Sequence, residues 1–525
     1  MTKRIEIMDT TLRDGEQMKG VSYSPSEKLA LAQILLGDVK VDRIEIASTK
    51  VSKGEEHSVA KILEWAEKAN CAGRIEVLGF VDKTESVDWI YNLGGKVINI
   101  LAKGSINHLT KQLRKTKEQH LQDIKKTVKY ANQKGITCNI YFEDWSNGML
   151  YSKDYFYYLL DNLKNEQIKR FMLPDTLGIL YPSQVFQFIK EIISVYPRLH
   201  FDFHAHNDYG LATANTLAAV EAGVKGIHCT VNGMGERAGN SSLDEVIVGL
   251  HDFLKIKTGI KEKQLVYASK TVESFTGYRI AFNKPICGSN VFTQTAGIHA
   301  DGDRKGNLYN SKLSPDRFRR KRQYSLGKLS GKSNLEYNLE EIGIKLNKKQ
   351  KKLVLERIIE LADRKEIISA GDLPYIISDV LETPQKKYFE LKSCNIITST
   401  ELKSTAIIKL LYRKGEQNKK LELEEIAQGD GGYDAFMNTI RKIAKKIDYP
   451  LPSLLDYTVS IPPGGKTDAL VQCVITWEMA NKKIFITKGI NPDQVLAAIE
   501  ATEKMLNLIA LQKEYNGNSN VKKEL

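Results

Sequence analysis

Two histidines one residue apart, His204 and His206, close the run Leu199-His200-Phe201-Asp202-Phe203 and are followed at once by Asn207 and Asp208. Side chains two apart on an extended strand share a face, so both imidazoles can address one cation. A single buried histidine is usually an ordinary core residue, but an H-x-H pair at a strand end reads as a metal half-site. Far upstream, Asp9-Thr10-Thr11-Leu12-Arg13-Asp14-Gly15-Glu16-Gln17 ends another strand-like run with a guanidinium beside a carboxylate. Asp14, His204 and His206 supply the mixed oxygen and nitrogen donors that suit Mn²⁺, Mg²⁺ or Zn²⁺, and the side-chain oxygen of Asn240 is a fourth donor. Open coordination positions remain for a substrate.

What must position these groups is a repeated pattern of a β-branched run, a polar loop and an amphipathic helix. The strand candidates are Arg4 to Asp9, Asp42 to Ala47, Arg74 to Val81, Val97 to Leu101, Thr137 to Glu143, Arg170 to Leu173, His200 to Phe203 and Gly226 to Val231. Helices are expected at Ser26 to Leu36, where Ser24, Pro25 and Glu27 form a capping box, and at His57 to Ala69, Glu118 to Gln133, Pro182 to Tyr196, Ala212 to Ala222 and Ser242 to Leu254. Eight βα units in about 255 residues predict an α/β fold, a (β/α)₈ barrel over residues 1–265, with its active site at the C-terminal ends of the strands. Arg13 and Asp14 after the first strand, Glu143 ending the fifth, Thr176 after the sixth, the two histidines ending the seventh and Asn240 after the eighth then share one rim.

The rest of the chain sets bounds. At 525 residues it exceeds one core, and 42% apolar content is enough for two to four domains. Cys71, Cys138, Cys229, Cys287, Cys394 and Cys473 lack C-x-x-C spacing, which argues for reduced thiols and against a disulfide framework or a cysteine zinc site. The start lacks the apolar core of a signal peptide and no stretch is long enough for a membrane helix, so a cytoplasmic location and no membrane partner are expected. The net charge of +13 comes largely from 317–322 and 348–352. Without interleaved aromatics these runs read as solvated surface or a contact for an anionic cofactor, and not as a nucleic-acid site. Residues 345–382 read as a small helical connector.

Four motifs carry a family resemblance: D-T-T-L-R-D-G-E-Q, L-P-D-T-L-G at Leu173 to Gly178, H-A-H-N-D, and G-x-G-E-R-A-G-N at Gly233 to Asn240. Together they resemble the acyl-CoA-condensing superfamily of isopropylmalate, homocitrate and citramalate synthases, with HMG-CoA lyase as a relative. Gly297-Ile298-His299-Ala300-Asp301-Gly302 and Leu326-Gly327-Lys328-Leu329-Ser330-Gly331 resemble the synthases' middle segment, which the lyase lacks. The resemblance implies an acyltransferase that condenses acetyl-CoA with a 2-oxo acid on a divalent metal ion and hydrolyses the thioester. It implies connector subdomains over 266–385 that contribute to the active site, a C-terminal α+β regulatory dimer domain over 386–512, a tail over 513–525, and a homodimer. Arg13 is expected against the ketone oxygen, where negative charge develops. Two groups compete as the base, Glu143 and His299, and Asp301, Asn307, Leu308 and Tyr309 are expected at CoA. Many isopropylmalate synthases carry histidine where this chain has Gln294, so proton-relay details are expected to differ.

Which oxo acid is bound turns on the barrel floor. Isopropylmalate synthases usually end the fifth strand with F-S-x-E-D, whereas this chain reads Ile140-Tyr141-Phe142-Glu143-Asp144. Tyr141, with Leu78 and Leu101, would fill the space of an isopropyl group. The expectation is therefore pyruvate and the citramalate branch, on the threonine-independent route to isoleucine, with 2-oxoisovalerate as the alternative. Isoleucine is the expected effector, at a C-terminal pocket drawn from Tyr433, Asp434, Leu454, Tyr457, Ile461 and Val471, though these apolar positions are equally ordinary core. A silent amino-acid sensor on the same scaffold would show a lost ligand residue, and Arg13, Asp14, His204, His206 and Asn240 are all present.

Overall fold

In the first half, period-2 alternation builds a barrel whose strands put apolar side chains outward and polar ones inward. The strands are β1 (Glu6–Asp9), β2 (Arg43–Ser48), β3 (Ile75–Phe80), β4 (Val97–Lys103), β5 (Thr137–Glu143), β6 (Ile168–Asp175), β7 (Phe201–Ala205) and β8 (Gly226–Cys229). They are parallel and closed in sequence order, β8 registering Cys229 against Asp9 of β1. Ile44 and Ile46, Ile98 and Ile100, Ile140 and Phe142, and Phe201 and Phe203 join the core beneath the helices. Between them Arg43, Glu45, Asn99, Asn139, Asp202 and His228 hydrogen-bond to one another or to other inward groups. Barrel interiors are usually filled by branched apolar residues, so this polar column requires a reason.

The helices around it are α1 (Pro25–Gln33), α2 (Lys53–Lys68), α3 (Glu85–Asn92), α4 (Lys117–Gln133), α5 (Trp145–Tyr151), α6 (Lys153–Leu163), α7 (Pro182–Val195), α8 (Ala212–Ala222), α9 (Leu243–Asp252) and α10 (Leu265–Thr276). The Ser24 capping box with Pro25 at the first position starts α1 as expected. Its end differs, because the chain continues as a π turn over Ile34–Val39 that buries Ile34, Leu35, Leu36 and Val39 before Lys40 turns left-handed at φ 71°.

This computed structural model describes residues 4–363, 368–381, 387–414, 419–460, 470–481 and 484–521. They form two compact units, Met1–Phe292 with Lys312–Lys321, and Thr293–Ser311 with Arg322–Leu525. Within 266–385, the residues up to Phe292 and Lys312–Lys321 belong to the first unit, with Ala268 and Val272 of α10 buried in the barrel's core, and the other described residues belong to the second. There the short pair β9 (Thr293–Gln294) and β10 (Gln323–Tyr324) accompanies α11 (Gly297–Gly306), α12 (Lys332–Ile342), α13 (Lys348–Asp363) and α14 (Leu373–Val380). Two antiparallel βββα units follow: β11 (Phe389–Ile397), β12 (Ser404–Lys414), β13 (Lys419–Gly429) and α15 (Gly432–Lys446), then β14 (Ser453–Ser460), β15 (Val471–Glu478), β16 (Ile484–Asn491) and α16 (Gln494–Val521). Helix α16 keeps the backbone helical to Val521, past the 512/513 boundary at which a tail was expected, despite the weak helix formers Asn516, Gly517 and Asn518. All six cysteines are free, and all but Cys394 are buried. Among the described residues no helix is long and apolar enough to cross a membrane.

Candidate active site

Strand ends bring the expected donors to one point inside the first unit. Alternation along β7 turns Asp202 and His204 inward, and the chain carries His206 just beyond, bridged through its backbone to Asn240. His204 Nε2 lies 3.2 Å from Asp14 Oδ2 and 3.3 Å from His206 Nε2, and His206 Nε2 is 3.9 Å from the same carboxylate oxygen. One ligand atom from each of Asp14, His204 and His206 lies within 4.8 Å of the others, and all three residues are buried. Asp14 Oδ1 and Asn240 Oδ1 are buried without a hydrogen-bond partner, while Asn240 Nδ2 donates to the carbonyl of Met234 at 3.0 Å, leaving the amide oxygen free. Orphaned oxygens beside converging imidazole nitrogens are costly unless a cation satisfies them, so these residues fit a divalent ion.

Electrostatics agree with that fit. Burial raises the Asp14 carboxyl, but Arg13 and the two histidines outweigh it and hold the group well below the usual carboxylate range. Burial pushes His206 down to about 4, so its ring is neutral and its lone pair available at neutral pH. Ligand chemistry requires both conditions.

Arg13 is held more firmly than its sequence context suggested. Its Nε donates to Glu45 Oε2 at 2.6 Å, and Nη1 pairs with Asp14 Oδ2 at 3.1 Å. Asp14 thus faces both His204 and Arg13, and the carboxylates of Asp14 and Glu45 together fix the guanidinium plane. Glu45 is fully buried and also accepts from Thr10 at 2.8 Å and Asn99 at 2.7 Å. Its signal was present in the sequence, as a carboxylate between Ile44 and Ile46 on a strand with apolar residues outward.

Below the cluster, Met8, Leu78, Tyr141 and Met172 form a small apolar group of their own, with Leu101 packed against it. The Tyr141 ring stands edge-on to His204 at 6.2 Å, and Arg13 Cζ is 5.9 Å from its centre. Leu78, Leu101 and Tyr141 are therefore brought together under the donors. Glu143 pairs with Lys103 at the end of β4, a buried lysine that sequence reasoning missed. Thr176 Oγ1 accepts from the Asp144 amide at 2.9 Å, so its hydroxyl serves the loop beside Glu143. A cavity of about 330 Å³ opens next to Asn240, lined among others by Asn207, Arg237, Ser242, Glu245 and Lys284.

The second unit holds the remaining expected residues. His299 Nδ1 is 3.1 Å from Gln294 Oε1, and its ring centre is 4.2 Å from that of Tyr309. Asp301 pairs with Lys305 at 2.6 Å, Asn307 ends α11 at φ 51°, and Leu308 is exposed. Among the C-terminal set, Tyr433 and Tyr457 meet at 5.2 Å, and Tyr433 Oη is 2.8 Å from Thr502 Oγ1. Val471 is buried at the start of β15 and Leu454 is exposed. Asp434 accepts from the Asp430 amide at 3.1 Å and from Asn438 Nδ2 at 3.2 Å, which is turn geometry. Ile461 lies outside the described residues.

The HMGL-like family model matches residues 4–272, the homocitrate synthase post-HMGL domain-like model 286–366, and the LeuA allosteric (dimerisation) domain model 367–510. The chain is 32% identical to a putative (R)-citramalate synthase of Methanopyrus kandleri, over 97% of each chain. It is 33% identical to the 2-isopropylmalate synthase of Methanocaldococcus jannaschii, covering 97% of this chain and 96% of that one. To the (R)-citramalate synthase of the same organism it is 32% identical, over 96% and 99%. Two activities stand at the same identity, so the choice between oxo acids falls to the residues around the site.

Proposed function

This chain belongs to the HMGL-like family, among the acetyl-CoA-condensing synthases it matches over nearly its whole length, and on that premise we propose that it condenses acetyl-CoA with pyruvate to give (R)-citramalate and CoA. The observation that carries the choice is the apolar cluster of Tyr141, Leu78, Leu101, Met8 and Met172, whose Tyr141 ring stands edge-on to His204 at 6.2 Å and which this reading takes as the floor of the oxo-acid pocket. A methyl group fits above such a floor more readily than an isopropyl group, and each extra methylene is worth about 1–3 kcal/mol of discrimination.

A divalent ion on Asp14, His204, His206 and Asn240 would supply Lewis acidity toward the ketone and carboxylate of the oxo acid. This chain's own groups do the rest. Arg13, fixed on two sides by Glu45 and Asp14, stabilises the charge that develops on the ketone oxygen. A base takes a proton from the acetyl methyl, the resulting carbon nucleophile bonds to the ketone carbon, and water then cleaves the thioester and releases CoA. Glu143, paired with Lys103, and His299, beside Gln294 and Tyr309, both have the chemistry for the base. Glu143→Gln and His299→Ala separate them, since loss of the base removes the acid limb of the pH–rate profile. Asp301, Asn307, Leu308 and Tyr309 are assigned to CoA, and Thr176 to the oxo acid.

The match to an allosteric dimerisation domain supports a regulated homodimer, and with pyruvate as the oxo acid the effector this reading assigns is the pathway's end product, isoleucine. Tyr433, Tyr457 and Val471 are the pocket positions this reading keeps. The test is CoA release from acetyl-CoA with Mn²⁺ or Mg²⁺, offering pyruvate and 2-oxoisovalerate separately, each with and without isoleucine and leucine. Preference for pyruvate with inhibition by isoleucine is expected. Preference for 2-oxoisovalerate would transfer the assignment to 2-isopropylmalate synthesis and discard the floor argument.

A further inference from the structure

Beneath the site, a chain of buried polar groups runs down the barrel axis and ends on the tyrosine of the floor. Tyr141 Oη lies 3.0 Å from His228 Nδ1, and His228 Nε2 lies 3.2 Å from Asp202 Oδ2. The same Asp202 oxygen accepts from Arg43 Nη2 at 2.6 Å, and its other oxygen is 2.9 Å from His200 Nε2. Asp202, His228 and Tyr141 are 0, 1 and 3% exposed. Ion pairs buried at this depth tend to contribute little or negative net stability compared with well-packed apolar residues, in a place that barrels usually fill with aliphatic side chains. The fold also makes room for the carboxylate: Gly226 faces Asp202 across the β7–β8 pair, and a Cβ there would lie 2.1 Å from Asp202 Oδ1.

The chemistry of this chain has one direction. Asp202 Oδ2 is paired with the Arg43 guanidinium at 2.6 Å and Oδ1 lies 2.9 Å from His200 Nε2, so the carboxylate acts as an acceptor toward His228. The His228 proton therefore sits on Nε2, and Nδ1 is left to accept from the Tyr141 hydroxyl. A phenol whose single proton is committed to a fixed imidazole has its ring locked about both side-chain torsions.

We propose that His228, oriented by Asp202 and Arg43, is a positioning residue that pins Tyr141 as the rigid floor of the oxo-acid pocket and so determines substrate size. This rests on the reading of Tyr141 as the floor beneath the oxo acid. Without the anchor, the ring can tilt and admit a larger side chain. Discrimination then falls while the ligand donors remain in place.

The experiment is a double-mutant cycle on the full-length enzyme, with Tyr141→Phe, His228→Leu and the pair, reading the ratio of kcat/KM for pyruvate to that for 2-oxoisovalerate. His228→Leu is expected to lower the ratio roughly tenfold, part of what one methylene is worth. Tyr141→Phe, which removes only the hydroxyl, should give a similar drop, and the pair no further one. His228→Asn places an amide oxygen close to the former Nδ1 and should restore most of the ratio, a rescue that a purely structural role would not show. An unchanged ratio in His228→Leu, or an equal drop with and without the Tyr141 hydroxyl, overturns the proposal. A parent enzyme that prefers 2-oxoisovalerate sinks the pyruvate assignment instead, and coupling between positions 141 and 228 in the same ratio still decides this one.

Discussion

Replacing Arg13 with lysine keeps the charge and removes the planar fork. In the parent, Nε and Nη1 are 2.6 Å and 3.1 Å from carboxylate oxygens of two different residues, and the side chain is 10% exposed. One ammonium cannot reproduce both contacts in that geometry. Loss of a charge-assisted hydrogen bond is worth about 1.5–3 kcal/mol, so a stability decrease of about 2 kcal/mol is expected, visible in the midpoint of urea unfolding. The catalytic effect should exceed this. Removing a donor aimed at a developing oxyanion lowers kcat about 10²–10³-fold, or ~2.7–4 kcal/mol of barrier, because the interaction is stronger in the transition state than in the ground state. The assay is CoA release at saturating pyruvate, at a temperature where both proteins are folded, with acetyl-CoA varied. KM for acetyl-CoA should move by less than about threefold while kcat falls at least ~100-fold. A kcat within about threefold of the parent would show that Arg13 does not face the reacting oxygen, and would leave its pairing with Glu45 as a structural feature only.

Glu45→Gln leaves Arg13 buried with a single carboxylate. About 2–4 kcal/mol of stability should be lost, with a fall in kcat/KM and unchanged metal content, and unfolding curves that superimpose on the parent's would refute the role given to Glu45. Asp14→Asn and His204→Ala should each lose bound Mn²⁺ measured by elemental analysis after gel filtration, and full occupancy in both would end the ligand assignment. Burial raises Glu262, but hydrogen bonds from His251 and Arg317 outweigh it and hold the carboxyl at about 2. A carboxyl depressed in the folded state contributes stability above its unfolded value of 4.5 that is lost as pH falls toward 2. Arg317→Met, which also frees Asp252 from a 2.9 Å pair, should flatten that acid limb in urea unfolding at pH 2.5, 4 and 6; an unaltered pH dependence would mean that Arg317 does not hold the segment Lys312–Lys321 to the barrel.

The amino-acid sequence by itself determined the barrel and the donor set. Alternation along eight short β-branched runs is a local property, since it follows from which face each side chain takes, and it orders Arg13, Asp14, Glu143, Thr176, His204, His206 and Asn240 at the C-terminal ends of strands or in the loops that follow them. H-x-H spacing is equally local: it puts two imidazoles on one face whatever the strand packs against. Partners remote in sequence were decided by the tertiary structure alone. Glu45 meets Arg13 only because β2 lies beside β1 in the closed sheet, and Lys103 meets Glu143 because β4 and β5 register those two residues opposite each other. The line from Arg43 through Asp202 and His228 to Tyr141 joins four strands. In the one-dimensional pattern each of these is an isolated polar residue in an apolar run, and only closure of the barrel turns them into a single hydrogen-bonded column, because burial leaves each polar group no partner but another of its kind.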